Sequence, residues 1–276
     1  MKLVKRAIGI FDSGIGGLSV LKALRAELPA EDFIYIADSG HAPYGERDEA
    51  HVLARSHAIA SYLVKQNVKA LVVACNTATA AAIKLLRAEH PLLPIIGVEP
   101  ALKPAVGLSK TGRIGIMATR STLASAKFKA LLASQSNLAT FVLQPCDGLA
   151  DSIERSASHT NATETIALCV DFTKAMGLFG TKKGEIDTLV LGCTHYSFAQ
   201  QHLRALIGPD VQLVDTAEAV ARQTRRLLLL GAPPVNADRN PATLSGKVSL
   251  LTTGQPHTLQ AAASRWLDLT TGVTRL

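Results

Sequence analysis

Short apolar runs alternate with amphipathic stretches along most of this chain. The apolar runs predict strands at Ala7–Asp12, Phe33–Asp38, Ala70–Ala74, Pro94–Val98, Arg113–Ala118, Thr140–Leu143, Thr188–Leu191, Val211–Val214 and Val248–Leu251. Stretches with apolar residues at helical spacing predict helices at Leu18–Leu28, His51–Gln66 and Thr77–His90. Such alternation is typical of α/β proteins, in which parallel sheets are covered by helices on both faces.

Two segments mark crossings between domains. Val98–Pro104 contains two prolines and predicts one crossing, and a second is expected near Gly208–Val214. We therefore expect two α/β domains, each with a mainly parallel sheet flanked by helices. Residues 1–99 plus 213–276 form the first, discontinuous domain in this prediction, and residues 100–212 form the second.

An internal similarity links the two predicted domains. Ala70–Thr79 reads ALVVACNTAT and Thr188–Ser197 reads TLVLGCTHYS, so each has a strand, a small residue, a cysteine and two polar residues. Ligands of open α/β sheets bind beyond the carboxyl ends of the strands. The similarity predicts two pseudo-symmetric halves in which Cys75 and Cys193 both lie at the carboxyl ends of strands, where ligands bind.

Several chemistries are open to this pair of thiols. A single nucleophilic cysteine needs a base, for which His195 is the neighbouring candidate. A metal site of Cys75, Cys193 and His195 lacks an evident fourth ligand, and a redox pair is more often CxxC. Alternatively, two thiols on opposite faces of a carbon act as acid and base, because one removes a proton and the other returns it with inversion.

The composition narrows the possible partners. The net charge is +7 and the isoelectric point is about 9.3, but the basic residues are scattered and only 4% of residues are aromatic, so we expect no nucleic-acid partner.

No apolar run approaches the ~18 residues of a membrane helix. Met1–Asp12 is interpreted as a first strand and not as a signal peptide, so a cytoplasmic protein with reduced thiols is predicted. No metal or cofactor is predicted, since neither paired zinc ligands nor a Schiff-base lysine is recognisable.

The glycine-rich turn Asp12–Gly17 follows the first strand. Its sequence DSGIGG does not fit GxGxxG, and Asp12 would repel a phosphate. Backbone N–H groups at the start of the following helix, together with the Ser13 hydroxyl, are instead suited to hold a carboxylate.

With these features assembled, the chain closely resembles the glutamate racemases from about Ile8 to Thr216. The motifs that carry the resemblance are IGIFDSGIGGLSVLKAL at Ile8–Leu24, ADSGHAPYGER at Ala37–Arg47, VVACNTATAAA at Val72–Ala82 and LVLGCTHY at Leu189–Tyr196. The resemblance implies a cofactor-independent enzyme that interconverts L- and D-glutamate for peptidoglycan synthesis, with its active site in the cleft between the domains. It also implies a homodimer.

The resemblance assigns roles to individual residues. It implies that Cys75 and Cys193 are the catalytic thiols. The residues that it places around the substrate are Asp12, Ser13, Tyr44, Gly45, Asn76, Thr77, Thr194 and His195. An aspartate or hydantoin racemase would use the same thiol pair, and a non-catalytic binding module also remains open.

Weaker correspondences lie in the second half of the chain. Ala118–Thr122 looks like the family's substrate loop in the second domain and implicates Thr119 and Thr122. Cys146–Glu154 looks like a stretch that ends in an auxiliary acidic residue, Glu154. After CTHY the family often continues with proline and leucine, whereas here the chain reads Ser197, Phe198, Ala199. We expect that departure to affect packing only.

Overall fold

The computed structural model describes residues 6–157, 162–230 and 246–276, and it contains two parallel β-sheets. The first sheet has the strand order β10-β9-β2-β1-β3-β4 and the second β6-β5-β7-β8. The strands are β1 Ile8–Asp12, β2 Phe33–Ala37, β3 Ala70–Val73, β4 Ile95–Gly97, β5 Arg113–Ala118, β6 Thr140–Pro145, β7 Thr188–Leu191, β8 Gln212–Val214, β9 Val248–Thr252 and β10 Val273–Arg275.

The two sheets repeat one topology. In the first sheet, β1 lies between β2 and β3, and β4 lies on the other side of β3. In the second sheet, β5 lies between β6 and β7, and β8 lies on the other side of β7. The strands β3 and β7 therefore occupy equivalent positions, and Cys75 and Cys193 follow them. This confirms the predicted two-domain α/β architecture with pseudo-symmetric halves.

Helices cover both faces of each sheet. The α-helices are α1 Leu18–Glu27, α2 Glu49–Lys65, α3 Asn76–Glu89, α4 Leu102–Leu108, α5 Arg120–Ala124, α6 Ala126–Ala133, α7 Leu149–Ser156, α8 Thr163–Met176, α9 Gln200–Ile207, α10 Ala217–Leu230 and α11 Pro256–Leu267. Three short 3₁₀ helices span Ser39–His41, Tyr44–Glu46 and Thr194–Ala199.

Local sequence signals explain where the early helices begin and end. The helix α1 ends just before Leu28 and Pro29, because proline disfavours helical geometry in the residue that precedes it. Asp48 caps α2, and its Oδ1 accepts a hydrogen bond from the backbone N–H of His51 at 2.7 Å. The three predicted helices are confirmed to within two residues at each end.

The core is divided into layers by the alternation of side chains along the strands. On the first sheet, Ile8 and Ile10 face α1, α10 and α11, whereas Phe11 faces α2 and α3. On the second, Met117 faces α7, α8 and α9, and Ile116 faces α4 and α6. Burial of these strands on both faces explains why they read as continuous apolar runs.

The chain leaves the first sheet after β4 and returns to it after β8. The strand β8 pairs with β7, from Thr188 with Gln212 to Val190 with Val214, whereas β9 pairs with β2. Residue 213, the predicted boundary, thus falls inside β8, and the domain limits themselves stay a prediction. The strand β10 was not predicted. The nine predicted strands are present, although β1 begins at Ile8 and Met1–Lys5 lie outside the described residues.

No helix within residues 6–157, 162–230 and 246–276 combines the length and the apolar character required to span a bilayer.

Candidate active site

A cavity lies in the cleft between the two sheets, at the carboxyl ends of their strands. It is lined from the first half by Ser13, Tyr44, Gly45, Cys75, Asn76 and Thr77, and from the second half by Thr119, Cys146, Glu154, Cys193, Thr194 and His195. The predicted site residues line this cavity except Asp12 and Thr122. Both candidate catalytic thiols therefore open into the same enclosed space.

Cys75 lies where β3 gives way to α3. It is the N-cap residue of α3, and its Sγ accepts a hydrogen bond from the N–H of Ala78 at 3.5 Å while its thiol lies 3.8 Å from Ser13 Oγ. Burial and the neighbouring Asp12 carboxylate raise the pKa of Cys75 to about 12. The first thiol is thus held in its protonated form in the unliganded site.

Asp12 lies behind the cavity wall and is fully buried. Its Oδ1 accepts from the N–H of Gly14 at 2.9 Å, and its Oδ2 accepts from the hydroxyl of Thr194 at 2.8 Å. Burial raises the pKa of Asp12, although the charge of His195 opposes that shift. Because Thr194 belongs to the second half, this carboxylate also joins the two halves beside the thiols.

Cys193 follows β7 in the equivalent position but has different neighbours. It precedes the 3₁₀ helix Thr194–Ala199 and makes no side-chain capping bond to it. Its Sγ lies 3.8 Å from Nδ1 of His195. The second thiol is therefore paired with an imidazole, whereas Cys75 is paired with a hydroxyl and a helix N-terminus.

His195 and Glu154 form a buried pair. Nε2 of His195 lies 2.8 Å from Oε2 of Glu154. Burial alone would lower the pKa of His195, but hydrogen bonds and charges from Cys193 and Glu154 raise it well above its ordinary value. Burial would raise the pKa of Glu154, but the hydrogen bond and charge of His195, together with hydrogen bonds from Ile15 and Ser39, lower it below its ordinary value. The pair is accordingly imidazolium and carboxylate, with the cation beside Cys193.

Glu154 also binds the first half of the molecule. Its Oε2 accepts from the N–H of Ile15 at 2.9 Å, and its Oε1 accepts from the hydroxyl of Ser39 at 2.7 Å. A Cβ on Gly14 would lie 2.3 Å from Oε2 of Glu154, and one on Gly16 would lie 2.3 Å from Nδ1 of His195. The glycines of the DSGIGG turn thus permit this close approach of the two halves.

The polar wall of the cavity consists of an amide and hydroxyls. Asn76 is buried, and neither its side-chain oxygen nor its nitrogen has a hydrogen-bond partner. The hydroxyl of Thr77 lies 3.0 Å from that of Thr119 and 3.3 Å from that of Thr122. An amide that lacks partners in a cavity is available to a ligand that offers both donors and acceptors.

Tyr44 and Gly45 lie on the 3₁₀ helix Tyr44–Glu46. The Tyr44 hydroxyl donates to Oδ2 of Asp38 at 2.5 Å, and Arg55 holds the same carboxylate with two hydrogen bonds of 2.9 Å. A Cβ on Gly45 would lie 2.6 Å from Cγ2 of Thr119. This segment is therefore fixed from behind and packs closely against the opposite half.

The sequence analysis missed some residues of the cavity. Cys146 and Glu46 both line it, and Cys146 directly follows β6, so the strand-end rule that identified Cys75 would also have identified this thiol. Burial raises the pKa of Cys146. Within the described residues 6–157, 162–230 and 246–276, no group of three or more His, Cys, Asp or Glu side chains is arranged to hold a metal ion.

The fold and the site define a two-domain parallel α/β protein in which two thiols at equivalent strand ends face one cleft between pseudo-symmetric halves. A model of the Asp/Glu/Hydantoin racemase family matches residues 8–224. A glutamate racemase of Ectopseudomonas mendocina is 47% identical over 237 residues, 84% of this chain and 87% of that protein. One of Ralstonia nicotianae is 49% identical over 221 residues, 80% of this chain and 77% of that protein. The chain therefore belongs to the Asp/Glu/Hydantoin racemase family.

Solved structures agree with this placement. Glutamate racemase RacE1 of Bacillus anthracis is similar with a TM-score of 0.83 and 31% identity, covering 98% of this chain and 97% of that one. The Escherichia coli glutamate racemase, crystallised with L-glutamate and the activator UDP-MurNAc-ala, is similar with a TM-score of 0.82 and 29% identity, covering 98% of both chains.

Proposed function

We propose that this chain is a glutamate racemase that interconverts L- and D-glutamate with two bases, Cys75 and Cys193. The observation that carries the proposal is that these thiols, at topologically equivalent strand ends, line one cavity. The names of the relatives support glutamate as the substrate. We further propose that the product supplies peptidoglycan synthesis and that the enzyme is a homodimer.

The reaction consists of two proton transfers at one carbon. In one direction the Cys193 thiolate takes the Cα proton, which leaves a planar carbanion, and the Cys75 thiol returns a proton to the opposite face. The product has inverted configuration, with Cys193 now a thiol and Cys75 a thiolate. The reverse direction starts from that second protonation state, so each thiol is a base for one enantiomer and an acid for the other.

The protonation state of Cys75 fits one of these directions. The high pKa of Cys75 keeps this thiol protonated, so it suits the role of acid, while Cys193 lies beside the His195 imidazolium. The resting enzyme is accordingly prepared to deprotonate the enantiomer whose Cα–H faces Cys193. Thiolate formation at Cys75 in the other direction is assisted by the Ala78 N–H at the start of α3.

Polar groups of the cavity wall can hydrogen-bond to the charged groups of glutamate. Hydroxyls of Ser13, Thr77 and Thr119 are placed to donate to the carboxylates, and the amide of Asn76 offers an oxygen to the ammonium and a nitrogen to a carboxylate. Because a Cα proton is far less acidic than a thiol, most of the barrier reduction must come from stabilisation of the charge that develops on the α-carboxylate. Exclusion of water by the closed cleft strengthens these interactions.

One experiment tests the proposal against its rivals. Chelator-treated protein is incubated in D2O with L-glutamate, D-glutamate, L-aspartate or a hydantoin, and optical rotation and deuterium at Cα are followed. We expect loss of rotation with deuterium incorporation for both glutamate enantiomers only. Exchange with aspartate or hydantoin alone would reassign the substrate, and glutamate binding without exchange would make the chain a binding module.

A further inference from the structure

A stacked aromatic pair joins the two halves of the molecule next to the Cys193 site. The rings of Phe198 and Trp266 have centroids 3.8 Å apart and an angle of 8° between their planes. Phe198 lies on the 3₁₀ helix Thr194–Ala199, and Trp266 lies on α11. Both side chains pack against the core of the first half and against that of the second. Phe198, which departs from the family's usual sequence, thus takes part in a contact between the halves.

The neighbouring residue of α11 makes a second contact across the cleft. Nη1 of Arg265 donates to the carbonyl oxygen of Ser156 at 3.0 Å, and its guanidinium lies 5.7 Å from the centre of the Trp266 ring. Ser156 is the last residue of α7, two positions after Glu154. Consecutive residues of α11 therefore contact the two segments that carry His195 and Glu154.

Those two segments pack against each other in the core of the second half, where Ile153 of α7 lies in one cluster with Tyr196 and Ala199, and on the cleft side they are joined by the buried pair beside Cys193. His195 contributes the imidazole and Glu154 the carboxylate, 2.8 Å apart, and the imidazole lies 3.8 Å from the Cys193 sulfur. A 3₁₀ helix has poorer hydrogen-bond geometry than an α-helix, and Cys193 makes no capping bond to it. Cys75, by contrast, caps an α-helix of 14 residues. The segment that carries Cys193 therefore depends more on contacts with neighbouring elements than the segment that carries Cys75 does.

We propose that α11 is a positioning element for the Cys193 half of the site. Trp266, through Phe198, and Arg265, through Ser156, fix the relative orientation of His195 and Glu154, and so the imidazolium beside the sulfur. The helix lies outside the residues 8–224 that the family model matches. The inference rests on the proposed racemase function, because the pair it orients is the support of one of the two bases.

The test compares three substitutions within α11. Trp266→Ala removes the stacked ring, and Trp266→Phe keeps an aromatic ring at the same position. Leu259→Ala is the control, because Leu259 lies on the same helix but packs on the core of the first half. Racemisation kinetics are measured for each. We expect Trp266→Ala to lower kcat by about tenfold to a hundredfold with little change in KM, since small misplacement of catalytic groups has effects of that size. Trp266→Phe should restore most of kcat, and Leu259→Ala should keep it.

Amide hydrogen exchange gives a readout that does not depend on activity. We expect Trp266→Ala to increase exchange in Thr194–Ala199 and in α7, with no increase in α3 beside Cys75. The two proposals can fail separately. If Trp266→Ala showed this exchange pattern but the wild-type protein did not racemise glutamate, the proposed function would be wrong and the positioning role of α11 would still hold. Equal kcat losses in Leu259→Ala and Trp266→Ala, or unchanged exchange at Thr194–Ala199, would overturn the inference.

A second variant covers the case in which Trp266→Ala does not fold. Phe198→Ala removes the stacked partner from the other side, so we expect the same loss of kcat and the same local exchange. Trp266 is the single tryptophan of the chain, so its fluorescence shows directly whether the stacked contact has been lost. Loss of the contact with full kcat would again contradict the inference.

Discussion

The two thiol sites share a strand position but differ in everything that surrounds the sulfur. Cys75 caps a long α-helix and lies near a hydroxyl and a buried carboxylate, Asp12, all within the first half. Cys193 precedes a 3₁₀ helix and is paired with His195, whose partner Glu154 reaches across to the first half. Pseudo-symmetry of the backbone thus places the two sulfurs at equivalent positions, whereas the side chains around them give each sulfur a different environment.

Removal of either sulfur is the largest change that this comparison predicts. Cys75→Ala and Cys193→Ala should each lower racemisation on the order of 10³-fold, because a positioned acid or base contributes about 10²–10⁴-fold. Polarimetry with both enantiomers measures the loss. Cys169→Ala, a buried thiol of α8 that does not line the cavity, is the control and should retain activity. Near-normal racemisation by either cavity mutant would refute the two-base mechanism.

Chemical labelling sharpens the contrast between the thiols. Because the pKa of Cys75 is raised to about 12, little of this thiol is ionised at pH 8, and iodoacetamide should alkylate it at least about ten times more slowly than it alkylates free cysteine, since the thiolate is the reactive form. Mass spectrometry of the cysteine peptides over time gives the rate. Saturating glutamate should slow the labelling of both cavity thiols. Labelling of Cys75 as fast as free cysteine would contradict its protonated state.

The smallest predicted effect concerns stability and pH. The pKa of His195 is raised on folding, so its contribution is complete below about pH 6.5, the ordinary value, and is lost as the pH rises through the folded value. Glu154 has a lowered pKa and stays ionised through this range. The difference in unfolding free energy between wild type and His195→Asn should therefore be larger at pH 6 than at pH 9.

Urea denaturation at both pH values measures that difference. His57→Asn is the matched control, because His57 pairs with Glu89 at 3.3 Å with half of its side chain exposed, and such surface pairs contribute little. We expect no pH-dependent difference for His57→Asn. A difference for His195→Asn that grew toward pH 9 would contradict the imidazolium–carboxylate assignment.

The sequence by itself determined the secondary structure of the sheets and the position of both thiols. Strands that are buried on two faces read as apolar runs, and residues that follow such strands reach a shared edge, so Cys75 and Cys193 were recognisable from local pattern alone. The motifs around them indicated the family. The last strand, Val273–Arg275, was missed because it is short and largely exposed at the sheet edge.

Only the tertiary structure decided how the groups around each thiol are connected across the two halves. Glu154 binds the N–H of Ile15, 139 residues away in the chain, and Phe198 stacks on Trp266 from the opposite half. Such contacts depend on how the cores of the two halves pack against each other. The pattern of apolar and polar residues within one segment does not predict that packing. The hydrogen bond that the carboxylate of Asp12 accepts from Thr194 of the other half likewise depends on that packing.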